Sequence, residues 1–172
     1  MTTRQLIAQV ALWLFIFSSS IQMGGAVYES LVITHLWAGS PPESVTGWNP
    51  VPQYAIEPAR FWGRASPFYA LATVAVLIAA WFMPKVSRRW ALMAGMCTLI
   101  VILSTLLFFV PILQETIFTR GAGLSAGEIS TKVHQWVNWN WPRMVLVFVG
   151  WSAGVRALSL LSLARDRTQH AI

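Results

Sequence analysis

Charge and cysteine are what this sequence has least of. Asp, Glu, Lys and Arg together make up 10% of its 172 residues, where an ordinary soluble domain carries about 25%. That deficit excludes a surface solvated mainly by water. The single cysteine, Cys97, excludes an internal disulfide, a stapled ectodomain and a relay built on a cysteine pair. Acids are the scarcer charge, six against twelve bases, for a net charge of +6. The bases cluster at the ends of apolar segments, so the surplus does not point to nucleic acid, and no such partner is expected. No phosphate-binding loop, dinucleotide-binding glycine fingerprint or nucleophile elbow is present. Internal repeats and low-complexity tracts are absent as well.

Long apolar runs are abundant. Trp90–Leu113 is an uncharged stretch of 24 residues, enough to cross a hydrocarbon core that needs about 20. Leu6–Ile33, Pro67–Met83 and Met144–Ala164 are its companions. With 56% hydrophobic residues and a mean hydropathy of +0.58, the chain is read as an all-α membrane protein. The expected architecture is a single four-helix transmembrane bundle over residues 1–172, with a structured exterior loop between helices 1 and 2.

The basic residues set the orientation. Arg4, Lys85, Arg88, Arg89, Arg156, Arg165 and Arg167 fall at the N-terminus, the short second connection and the C-terminal part, with Asp166 the acid among them. An excess of Lys and Arg marks the cytoplasmic side. Both termini are expected inside and both long connections outside, in the cell inner membrane, with the lipid bilayer as the main partner. Arg4, an apolar stretch and small residues near Gly24–Ala26 have the form of a signal peptide. Apolar character resumes through Val27–Ile33, so a retained helix is the better reading.

The two exterior segments differ in kind. Residues 35–66 hold Pro41, Pro42, Pro50, Pro52 and Pro58, which resist regular helix, together with Trp37, Trp48, Tyr54, Phe61 and Trp62. Free linkers are normally polar, so Ser40–Arg64 is expected to fold over the outer helix ends as a lid. In the second segment Gly121-Ala-Gly123 breaks the chain and Ser125-Ala-Gly-Glu128 matches the S-x-x-E capping box. The spacing predicts an exterior helix over 125–141, interrupted or kinked at Pro142 before the fourth spanning helix.

Chemistry has few places to reside. Ser18, Gln22, Gly25 and Glu29 recur at helical spacing and give the first helix one polar, small-residue face, which suits either close helix packing or a site. Glu29 near the outer end of that helix and Arg143 at the head of the fourth should lie at similar depth. Lipid exclusion drives such charges together, as an ion pair that locks the bundle or as part of a site. His134 is the candidate general base, with Tyr28 and Asn140 nearby and Trp136, Trp139 and Trp62 as candidate walls for a flat apolar molecule. Those aromatics would serve equally as interfacial anchors. His35 is a second exterior imidazole, yet no H-x-x-x-H, E-x-x-H or cysteine cluster supports a metal site.

The segment His134-Gln-Trp-Val-Asn-Trp-Asn-Trp-Pro-Arg143 resembles the W-x-x-x-N-x-x-R pattern before the last helix of the anthrone-oxygenase-like family. Trp136, Asn140 and Arg143 are the matching residues. Gly24-Gly-Ala-Val-Tyr-Glu29 and the four-helix plan are also similar to that family. The resemblance implies oxidation of a hydrophobic aromatic or quinone-like molecule by molecular oxygen, without a cofactor. Glu29 or His134 would then remove a proton and Arg143 would stabilise the resulting oxyanion. The alternative is a non-catalytic membrane subunit, or a homo-oligomer, whose aromatic outer surface docks another membrane protein.

Overall fold

The computed structural model describes residues 3–48 and 58–169. Among these it contains four helical segments long and apolar enough to cross a membrane: Thr3–Ala38, Arg60–Phe82, Lys85–Phe118 and Ala126–Ala164. The protein is therefore an all-α, multi-pass membrane protein whose apolar outer faces meet lipid. Finer division gives α1 (Thr3–Tyr28), a π-helical turn (Glu29–Ile33) and α2 (Thr34–Ala38), which together form the first long segment. A short α3 (Glu43–Thr46) comes after it. Next are α4 (Pro58–Ala79) and, after a tight turn, α5 (Lys85–Ser104). The third segment continues through a second π-turn (Thr105–Phe109), α6 (Val110–Leu113) and a third π-turn (Gln114–Phe118). It ends at a connection held by Gly121 and Gly123, both at positive φ, and α7 (Ala126–Gln169) closes the fold.

Neighbouring helices run antiparallel. Phe15 stacks on Tyr69 from α4, Tyr69 hydrogen-bonds Thr98 of α5 at 3.1 Å, and Ser87 of α5 donates to the Ala157 carbonyl of α7 at 2.8 Å. Trp151 of α7 returns to α1 by donating to Ser20 at 3.0 Å. The first and fourth segments are thus adjacent.

The interior has two layers of different texture. The layer toward the termini is built from Ala8, Ala11, Ala91, Ala94, Ala153 and Ala157 around Leu12, Phe15 and Tyr69. Small side chains let backbones approach closely, which substitutes for a hydrophobic driving force that lipid does not supply. The opposite layer is aromatic, with Trp37, Trp48, Phe109 and Trp136 packed among Ile33, Val45, Ile129 and Val133. Bulky exposed residues such as Trp13, Phe17, Leu71 and Leu107 face outward, where lipid is their solvent.

One expectation needs correction. Residues 125–141 and the fourth spanning helix are one uninterrupted helix, and Pro142 lies inside it. Proline removes one backbone donor, here the bond from position 142 to the Asn138 carbonyl. Spanning helices tolerate such a loss when neighbours support them. Within the segment 35–66, residues 35–38 and 58–66 are helical. Pro58 opens α4, a position where the missing N–H has no intrahelical partner anyway.

The described residues between the first two long helices pack against the bundle. Val45 and Trp48 enter the aromatic layer, Ser44 donates to the Trp37 carbonyl at 2.7 Å, and Ser130 of α7 donates to the Pro41 carbonyl at 3.1 Å. Residues 49–57, including Pro50, Pro52 and Tyr54, lie outside the described residues. The capping box forms as read: the Ser125 backbone N–H reaches Glu128 Oε2 at 2.8 Å and the Glu128 N–H reaches Ser125 Oγ at 3.3 Å.

The small-residue seam is directly testable at Gly154. A Cβ there would stand 2.8 Å from Phe15 Cε1, and Phe15 has no exposed surface into which to move. Gly154→Val should lower stability by about 1–3 kcal/mol, the usual cost of overpacking, in thermal unfolding of the detergent-solubilised protein. Adding Phe15→Leu should recover part of the loss.

Candidate functional site

Arg143 is a cation inside the bundle wall, half-buried on α7. A charged group at such a depth must find compensating partners, and three segments supply them. From its own helix, Asn140 accepts a 2.6 Å hydrogen bond from Arg143 Nη2. From the second π-turn, Thr105 Oγ1 lies 3.4 Å from Nη1. The guanidinium also stands 4.2 Å from the centroid of the Phe109 ring and 5.8 Å from that of Trp136. Cation–π contact of this kind strengthens where water is excluded.

The first segment completes the arrangement. Asn140 Nδ2 donates to Ser30 Oγ at 2.9 Å, and Ser30 donates onward to the Met144 sulfur at 3.3 Å. Glu29, beside Ser30, couples electrostatically to Arg143 and lies within reach of the Trp62 indole N–H. The contact with Arg143 is longer in range than a direct ion pair such as Lys132–Glu115, which closes at 2.7 Å. Trp62 reaches this position because Gly25 leaves room: a Cβ at 25 would fall 2.5 Å from Phe61 and 3.2 Å from Trp62.

Backbone geometry explains how these groups meet. Glu29 and Ser30 lie in one π-turn, Thr105 and Phe109 in another. A π-turn inserts a residue into the helical repeat and rotates the residues beyond it; such turns occur often at functional sites. Thr105 Oγ1 is further fixed by donating to the Val101 carbonyl at 2.7 Å. Trp136 is held edge-on between Trp37 at 5.1 Å and Phe109 at 5.8 Å.

A groove of about 430 Å³ opens beside the guanidinium, between the third and fourth segments. Ile100, Phe108, Phe109, Trp139 and Leu146 line it, and Arg143 is its charged residue. Such a slot suits a flat apolar body with one negative or strongly polar atom.

Of the residues singled out from sequence, the structure brings Glu29, Trp62, Trp136, Asn140 and Arg143 together. Trp139 joins through the groove wall. Tyr28 is exposed on the outside of the first segment. His134 is exposed on α7, nine positions before Arg143 and so about half a turn out of phase with it. Ser30, Thr105, Phe109 and Met144 belong to the network without having been singled out. Among the described residues no group of three His, Cys, Asp or Glu side chains could hold a metal ion.

Two substitutions separate network from surface. Asn140→Ala removes the partner of both Arg143 and Ser30, and should cost about 2–3 kcal/mol, as for bonds to a charged group. His134→Ala should stay within about 0.5 kcal/mol, as surface changes do. Thermal unfolding in detergent checks both.

Comparison with known proteins bears on this site. No curated protein and no solved structure matches the chain. The family model described as anthrone oxygenase matches residues 59–153, more than half of the sequence. The matched stretch holds Trp62, Thr105, Phe109, Trp136, Asn140 and Arg143, the larger part of the network around the guanidinium. The chain belongs to the anthrone oxygenase family.

Proposed function

We propose that this protein is a membrane oxygenase. Its substrate class is a hydrophobic aromatic molecule, anthrone- or hydroquinone-like, and molecular oxygen is the oxidant, with no cofactor. The observation that carries the reading is the half-buried guanidinium of Arg143, fixed by Asn140 and Phe109 at the side of a groove whose other lining is apolar but for Ser104. Family membership supports the reaction class.

These groups are suited to one sequence of steps. A methylene between two aryl rings and conjugated to a carbonyl is acidic enough for a positioned carboxylate to deprotonate. We assign that base to Glu29, the acid coupled to Arg143. It stands on the first segment and not in the groove wall, so the assignment requires the substrate's methylene to reach past the guanidinium toward that segment. Removing the proton moves negative charge onto the carbonyl oxygen, where a fixed guanidinium stabilises it before any solvent need reorganise. The electron-rich carbon then reduces oxygen. Overall, one CH₂ and one O₂ become one C=O and one H₂O, so atoms and electrons balance without a further reductant. His134 is assigned no step, because its exposed face lies away from the guanidinium.

Orientation enters the proposal too. Lys85, Arg88, Arg89 and Arg156 gather at the end of the bundle that holds both termini, which supports termini on the cytoplasmic side of the inner membrane. The site would then face the outer leaflet, where an apolar substrate can enter laterally from lipid.

Oxygen uptake by the purified protein with 9-anthrone tests the reading, with anthraquinone formation monitored by absorbance. Glu29→Gln should lower turnover by about 10²–10⁴-fold, as loss of a general base does, and Arg143→Ala should do so to a comparable degree. Normal turnover in both variants would contradict the assignment. Fixed-stoichiometry co-purification with another membrane protein, without turnover, would favour an assembly subunit.

A further inference from the structure

A groove of about 660 Å³ lies between α1 and α4 and shares no lining residue with the one beside Arg143. Phe17 and Ile21 of α1 line it with Phe61 and Phe68 of α4, and Arg60 and Arg64 complete the wall. The three phenylalanines are exposed, so the groove opens sideways, to the lipid around the bundle. Ser18, its uncharged polar residue, already gives its proton to the Phe15 carbonyl at 3.0 Å.

Charge is graded along this wall. Arg60 opens the spanning part of its segment, Arg60–Phe82. Arg64 stands one helical turn, about 6 Å, further in, and Phe68 one turn beyond that. The groove is therefore cationic at the end away from the termini and apolar toward the middle of the membrane.

The two cations are not balanced from within the protein. Like charges one turn apart on a helix repel. Among the described residues no Asp or Glu lines the groove, and Arg64 has no hydrogen-bond or ion-pair partner. Arg60 has a contact of its own, but a guanidinium carries five N–H donors, and one contact leaves others to offer. Two further cations at this end are matched: Lys132 to Glu115 at 2.7 Å, and Arg143 to Glu29 by charge.

These features specify an occupant. It must place negative charge at the membrane boundary and an apolar chain on the stretch below. A phospholipid does both, and guanidinium forks match phosphate oxygens in geometry as well as charge. Its headgroup must be anionic overall, because a zwitterionic one brings an ammonium to a wall with two cations and no carboxylate.

We propose that this groove binds one anionic phospholipid, its phosphate between Arg60 and Arg64 and one acyl chain along Phe17, Ile21 and Phe68. The site stands whether or not the groove beside Arg143 carries oxidation.

Palmitoyl-oleoyl phosphatidylglycerol is a suitable probe, with the phosphatidylcholine of the same chains as its zwitterionic counterpart. Native mass spectrometry of the full protein in detergent, titrated with each lipid separately, gives the affinity for the first lipid bound. Phosphatidylglycerol should bind at least about tenfold more tightly, since each basic residue near a membrane surface favours an anionic lipid by about fivefold. Arg64→Gln should weaken phosphatidylglycerol about fivefold and leave phosphatidylcholine unchanged. Combining it with Arg60→Gln should abolish the preference. Both side chains are exposed, so the fold should tolerate these changes; if the double variant fails to fold, Arg64→Gln decides alone. Millimolar inorganic phosphate should not displace the lipid, because it lacks the chain. Equal affinity for the two lipids, an undiminished preference in Arg64→Gln, or displacement by phosphate would overturn the proposal.

Discussion

A guanidinium at the edge of a lipid-embedded bundle is the constraint on which the half of this protein away from its termini depends. Left without partners, Arg143 would have to snorkel toward water or unsettle the helix that carries it. Its partners are instead drawn from its own helix, through Asn140, and from the third segment, through Thr105 and Phe109. Ser30 and Glu29 tie the first segment to the same group, Ser30 through Asn140 and Glu29 by charge. Three segments are therefore registered against one another by one side chain. A charge that is costly to bury fixes helix register where greasy side chains, alike in lipid and in the core, would not.

The two layers of the bundle divide structure from site. Alanines and glycines bring the helices close in the layer near the termini and leave little space there. The layer away from the termini is instead built on Trp37, Trp48, Phe109 and Trp136. The groove and a smaller cavity flank this layer. The segment around Val45 and Trp48 packs into it from the end.

Much of this was legible in the sequence because lipid imposes simple rules. Uncharged runs of sufficient length, the clustering of bases and the Ser125–Glu128 box all report local chemistry with few competing outcomes. Glu29, Asn140 and Arg143 stood out because polar groups in such a background are rare. What was hidden depends on departures from regular repeat. The π-turns at Glu29–Ile33 and Thr105–Phe109 shift the phase of every later residue in their segments, so a 3.6-residue count misses Ser30 and passes over Thr105 within an apparently uniform apolar run. Pro142 was misleading in the opposite sense. It suggested a break where neighbouring helices sustain a continuous one. His134 attracted attention by its chemistry alone, and helical phase turns it away from Arg143.

The central claim is that a fixed guanidinium makes an aryl methylene acidic enough for a nearby carboxylate to deprotonate, before oxygen takes part. Anaerobic hydrogen–deuterium exchange isolates that step. With 9-anthrone and the purified protein in D₂O, oxygen excluded, the methylene protons should wash out faster than in buffer with empty nanodiscs, and Arg143→Ala should return the rate to background. Exchange no faster than background in the intact protein, alongside normal turnover once oxygen is admitted, would contradict it.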